Sequence, residues 1–122
     1  LDMTFHDRYD PDNDPRTTTE IVKELQNKIT LFEYMADTHF EAAFGHLYGY
    51  AAGYYGYKWA KVYAEDMYSR FKDQGPMNPK LGKELKEKVL EKGASREENH
   101  IIRDFLQREP GYEAFLESIG VR

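Results

Sequence analysis

A chain of 122 residues has the length of one domain and enough side chains for a real core. Its formal charge of −5, from 17 Lys and Arg against 22 Asp and Glu, argues against a nucleic-acid-binding surface. Cysteine is absent, which excludes disulfides and thiolate sites and fits a reducing compartment, the cytoplasm. No apolar run approaches the ~20 residues of a membrane span, and the opening LDMTFHDRYD has no signal-peptide pattern. A chain that opens on Leu1 rather than methionine reads as a fragment or a processed product.

Helical signals dominate, and they predict an all-α fold with residues 1–122 as a single unit. Residues 1–9 read as the last turns of a helix, followed by the breaker-rich loop YDPDNDPRTTT. Thr18 or Thr19 caps a helix over about 20–30, whose apolar stripe is Ile21, Val22, Leu25 and Ile29. A second helix or a loop carries Phe32, Tyr34, Met35 and Phe40. The block FGHLYGYAAGYYGYKW (44–59) then leads into a long helix over about 53–72, ended by Gly75-Pro76. Asn78 caps the next helix, with Pro79 in its first position, Leu81, Leu85, Val89 and Leu90 buried, and Gly93 at its end. Ser95 and Glu98 match a capping box for a helix carrying Ile101, Ile102, Phe105 and Leu106. Pro110 opens a last short helix, with Tyr112, Phe115, Leu116 and Ile119 inward and Gly120 at its close.

Two candidate metal patterns fail on spacing. Asp10, Asp12 and Asp14 have the one-three-five spacing of a calcium loop, but position six is Pro15 and position twelve is Ile21, where the loop needs Gly and a bidentate Glu. A solvated turn is the better reading. The histidines His6, His39, His46 and His100 form neither HExxH nor an i, i+4 pair, so no self-contained zinc site is expected. No Ser-His-Asp arrangement can be assigned, and the chain by itself does not read as a complete enzyme.

The Gly/Tyr block is unusual because it combines residues that oppose each other in packing. It holds five tyrosines and four glycines in sixteen positions, and glycine weakens helix and strand alike. On a helical wheel from Tyr54, the residues Tyr55, Trp59, Val62, Tyr63 and Met67 share one wide face with Asp66 and Arg70, which is the expected core side. Tyr54 and Tyr57 fall opposite, at the helix start. A phenol there can donate a hydrogen bond to a carbonyl or a developing oxyanion, or it can cover another helix.

From Phe44 to Phe71 the chain resembles the C-terminal signature of the thimet oligopeptidase family. These are zinc metallo-oligopeptidases that include neurolysin, oligopeptidase A and peptidyl-dipeptidase. The resemblance continues through GPMNPKLGKELKEKVLEKGAS and DFLQREPGYEAFLESIG, and LDMTFH resembles a helix the family carries upstream of this region. It implies a mostly helical enzyme around a deep channel. Zinc is held there by an HExxH helix and a later glutamate, all upstream of this region, so no zinc is expected on these 122 residues. This stretch would form the opposite wall of the channel. The resemblance further implies that Tyr57 stabilises the oxyanion and His46 contacts substrate, as catalytic residues. It makes Tyr50 and Tyr54 peptide-contacting residues, and Gly49, Gly53 and Gly56 the glycines that let their loop adapt. The link between His46 and the first tyrosine, HLYGY, is short for the family.

Three functions follow from this reading. The first is a non-catalytic C-terminal piece of a peptide-hydrolysing zinc enzyme, with short peptides and the upstream catalytic part as its partners. The second is a free-standing peptide-binding module without catalysis. The third is a structural helical domain whose tyrosines only pack. Self-association is expected for the isolated piece, through helix faces that would otherwise be covered; no nucleic acid or membrane partner is expected.

Overall fold

A computed structural model describes residues 1–121. All regular structure among them is helical, as expected. The chain forms two compact units, Leu1–Tyr55 and Gly56–Arg122.

The first unit begins with helical residues 2–3 that widen into a π-helical turn, Thr4–Arg8. Its main element is α1 (Thr18–Ile29), followed by two single-turn helices, α2 (Phe40–Ala43) and α3 (His46–Gly49). The cap of α1 is Thr17, one residue earlier than expected. Its hydroxyl accepts from the Glu20 amide at 3.2 Å while the Glu20 carboxylate accepts from the Thr17 amide at 2.7 Å, a complete capping box. The Thr17-x-x-Glu20 spacing carried that signal. Ile21 and Val22 are buried and Leu25 half-buried, but Ile29 is exposed. Residues 30–39 form no helix, and Phe32 and Met35 lie open to solvent. The 9–17 loop satisfies itself. Asp10 accepts from the Asp12 amide and the Asn13 side chain, and Arg16 holds the Asp14 carboxyl down to about 2. These carboxylates are engaged by their own loop, as a solvated turn requires.

The second unit is built on α4 (Gly56–Gln74), α5 (Pro79–Leu85), a π-helical turn (Lys86–Leu90), α6 (Glu98–Leu106) and α7 (Glu113–Ser118). Asn78 caps α5 through the amides of Lys80 and Leu81, with Pro79 in the first turn, as the sequence predicts. Gly75 and Gly120 close α4 and α7 with φ of 96° and 74°, whereas Gly93, with φ of 50°, lies in the turn after Leu90, where Glu91 is the cap. The expected capping box of α6 does not form. Helix begins only at Glu98, after an extended Glu97, and the Ser95 amide turns back to the Lys92 carbonyl. Leu90 and Tyr112 are exposed rather than buried, as is Ile119.

Leu81, Ile102, Phe105 and Leu106 form the core, with Tyr63, Met67, Phe71, Leu85 and Val89 packed around them. Arg70 lies 4.7 Å over the Phe105 ring and ion-pairs with Glu84 at 3.2 Å. Asp66 is buried and accepts both guanidinium nitrogens of Arg108 and, at 2.7 Å, the amide of Gly111. Arg108 is held above its ordinary basicity by that hydrogen bond. The carboxylate ties the segment after α6 to the middle of α4. This explains why a charged residue shares the core face of a helix: three donors replace its water.

The core face of α4 starts later than the wheel predicts. Val62, Tyr63 and Met67 are partly buried, but Trp59 is 55% exposed, and Tyr55, equally exposed, precedes α4 and belongs to the first unit. Periodicity identifies the face of a helix but not how far along it the partner extends.

Phe105 is fully buried at the centre of this core. Phe105→Ala is expected to destabilise the second unit by about 3–5 kcal/mol, measured by urea denaturation followed through helical circular dichroism. A loss under about 1 kcal/mol would show that the core closes over the cavity.

Candidate functional site

The Gly/Tyr block divides at residue 55. His46, Gly49, Tyr50, Gly53 and Tyr54 belong to the first unit, and Gly56 and Tyr57 open α4 in the second. Tyr57 is 55% exposed on the first turn of that helix. Tyr54 is not on the helix, contrary to the wheel. It lies in the 50–55 turn, so the expected i, i+3 pairing with Tyr57 does not describe it.

The late start of α4 has a distant cause. Ala52 takes the left-handed conformation, with φ of 55°, which is unfavourable for a residue with a Cβ and interrupts any helix. The buried carboxylate of Asp2 holds it there. One Asp2 oxygen accepts from the Ala52 amide at 3.0 Å and the other from the Tyr54 amide at 3.0 Å. His6 Nδ1 lies 2.9 Å from the first of these oxygens and 2.9 Å from the Asp2 carbonyl. Burial pushes the Asp2 carboxyl up, but the Tyr54 and Ala52 amides and His6 pull it down further, so it sits below its ordinary value. Sequence reading missed Asp2. The only available signal was the i, i+4 spacing of Asp2 and His6 in LDMTFH.

On this support the turn gathers its aromatic rings. The His46 ring lies 5.3 Å from Tyr54 and 6.3 Å from Tyr50, both edge-on, and 5.7 Å from Phe44. Phe44 meets Tyr54 edge-on at 4.9 Å and stacks on Phe40 at 5.1 Å. A cleft of about 380 Å³ beside them is lined by Asp2, Phe40, Phe44, Tyr54 and Tyr55 among others. The structure thus brings together His46, Tyr50 and Tyr54 of the residues the sequence singled out. The arrangement offers phenol and imidazole hydrogen-bonding groups along a mostly aromatic wall, which suits a polar backbone with apolar side chains.

A second polar cluster lies on the same unit. Glu41 is buried, and one of its oxygens accepts from the Thr19 hydroxyl, which is also 3.1 Å from His39 Nδ1. The other oxygen has no hydrogen-bond partner among the described residues. Among the described residues no three His, Asp or Glu side chains converge as metal ligands.

The two loop glycines of this unit differ. A Cβ on Gly53 would meet the Tyr50 ring at 3.2 and 3.3 Å and its carbonyl at 3.4 Å, tight contacts that the ring would have to relieve by a small shift. A Cβ on Gly49 would meet nothing within 4 Å, and Gly49 ends α3 without a positive φ. Gly49→Ala should therefore stabilise the first unit by about 0.5–1 kcal/mol, whereas Gly53→Ala should gain less and shift the Tyr50 ring resonances. Thermal denaturation and proton NMR of the two variants check this. Equal effects would remove the distinction.

The chain is similar to several known peptidases. It is 33% identical to oligopeptidase A of Salmonella typhimurium over 124 residues, covering all of this chain and 18% of that protein. It is 42% identical to saccharolysin of Saccharomyces cerevisiae over 82 residues, 66% of this chain and 12% of that one. It is 29% identical to the human mitochondrial intermediate peptidase over 119 residues, 98% of this chain and 16% of that protein. The chain therefore spans less than a fifth of the curated relatives it matches. The sequence model of Peptidase family M3 matches residues 1–121, and with these relatives it shows that the chain belongs to Peptidase family M3.

Proposed function

We propose that these 122 residues form one wall of the substrate channel of a zinc-dependent oligopeptidase that hydrolyses short peptides. The observation that carries this reading is the cluster of His46, Tyr50 and Tyr54 on a turn pinned by a buried carboxylate, within a chain of this family. Pinning the turn lowers the ordering cost of binding an extended peptide along it. In the proposal Tyr50 and Tyr54 contact the peptide, and Gly49, Gly53 and Gly56 leave its backbone room to approach. His46 contacts the substrate near the scissile carbonyl, and the Tyr57 hydroxyl donates to the oxyanion as the tetrahedral intermediate forms. The zinc ligands come from an upstream part of the same polypeptide, and these residues supply none of them. The work of this segment is orientation and hydrogen bonding. The absence of cysteine goes with a cytoplasmic setting, and among the described residues no helix is long and apolar enough to cross a membrane.

The exposed apolar residues support a covered role. In the first unit Ile29, Leu31, Phe32, Met35 and Phe40 lie close in sequence and open to solvent, with Leu31 98% exposed. Patches of this kind mark protein interfaces, and we assign this one to the upstream catalytic part.

Two measurements test the proposal. In the full-length enzyme, Tyr57→Phe should lower kcat by about 10²- to 10³-fold with little change in KM, because the lost donor acts mainly in the transition state. A near-normal kcat would remove Tyr57 from the mechanism. The isolated 122-residue chain should self-associate through its open apolar faces. A strictly monomeric species in sedimentation at high concentration would contradict the covered-face reading.

A further inference from the structure

We infer that Asp2 is a positioning residue for the peptide-binding turn, fixing Tyr54 and Tyr50 through the backbone and not through their side chains. The inference rests on the proposal that these tyrosines contact peptide. Its geometric basis stands apart from that proposal.

Asp2 is 7% exposed and precedes the turn by fifty residues, yet its two oxygens accept from amides two residues apart, Ala52 and Tyr54, each at 3.0 Å. A carboxylate bridging two nearby amides fixes the rotation of the peptide planes between them, and so fixes the direction in which the Tyr54 Cα–Cβ bond leaves the chain. The same bridge holds Ala52 in a left-handed conformation it would not adopt alone. The Gly53 amide donates to the Tyr50 carbonyl at 3.0 Å, and Gly53 carries the close contact with the Tyr50 ring, so the pinned turn sets that ring as well. His6 is the third donor. Its Nδ1 bridges the Asp2 carbonyl and carboxylate and stops the carboxylate from rotating out of the plane that serves both amides.

The chemistry requires an anion with two acceptor oxygens. Asparagine has nearly the same shape but can accept only through one oxygen, and its amide nitrogen would face a backbone N–H. Asp2→Asn is therefore the discriminating variant, with Asp2→Ala as the larger perturbation.

The first measurement needs no variant. In the wild-type chain, the Asp2 carboxyl carbon and the Ala52 and Tyr54 amide nitrogens should titrate together by NMR. Their shared midpoint should lie below the ordinary 3.8, because this carboxyl is held low. A group with a depressed value contributes above its unfolded value and loses that contribution as pH falls through its folded value, so the turn should stay pinned at neutral pH and loosen only in acid. Amides that do not follow the carboxyl overturn the inference while leaving the assignment of Tyr50 and Tyr54 to peptide contact intact.

The second measurement is kinetic, in the full-length enzyme. Asp2→Asn should raise KM by about tenfold while changing kcat less, as for groups that bind the ground state and transition state alike. A merely structural role would reduce the amount of active enzyme and leave KM unchanged. If the amides follow the carboxyl but KM does not move in Asp2→Asn, the positioning inference fails together with the peptide-contact role of the turn. The two failures are thus distinguishable.

Discussion

The constraint on which the first unit depends is a buried carboxylate that must find donors. A carboxylate removed from water is stable only if protein donors replace its hydration. Asp2 finds them in the Ala52 and Tyr54 amides and in His6. This need decides where the helical signal of the 50s is allowed to begin. With it, the chain makes a turn that presents Tyr50, Tyr54 and His46 together. Asp66 plays the same physical part in the second unit, where Arg108 and the Gly111 amide fix the path of the chain after α6. In each unit a buried carboxylate with several donors, Asp2 or Asp66, ties together segments far apart in the chain.

This explains which parts of the fold were legible in the sequence. Elements set by local chemistry were readable: Asn78-Pro79 begins α5, Gly75 ends α4, and the stripe of Ile101, Ile102, Phe105 and Leu106 is buried. The cap at Thr17 was readable too, although a run of three threonines invites a one-residue error that only the Glu20 partner resolves. Ser95 shows the opposite case. It has the right spacing to Glu98, but the backbone at Glu97 is extended and the Ser95 amide is used in a turn, so the pattern has no helix end to cap.

The candidate site was legible in composition and not in geometry. His46, Tyr50, Tyr54 and Tyr57 stand out because phenols and glycines crowd one stretch. The turn that carries Tyr54 is hydrogen-bonded to Asp2, a pairing across fifty positions that no local rule reaches. The Trp59 face of α4 shows the same limit. Its amphipathic period is real, but the period does not say what covers it, and within the second unit the packed side begins only at Val62.

The two loop glycines carry the argument furthest. Gly53 has a reason within the fold, since a Cβ there would lie only 3.2 Å from the Tyr50 ring. Gly49 has none: no atom would meet its Cβ, its backbone needs no positive φ, and as the last residue of a helical turn it weakens what alanine would strengthen. A residue that lowers local stability without relieving any steric conflict acts where the fold alone gives it no work. In the proposed function, close approach of an extended peptide to the α3 backbone would give it that work, because such an approach requires a missing side chain and not an unusual φ. The two glycines are thus separate cases: a close neighbour stands beside Gly53, and open space beside Gly49.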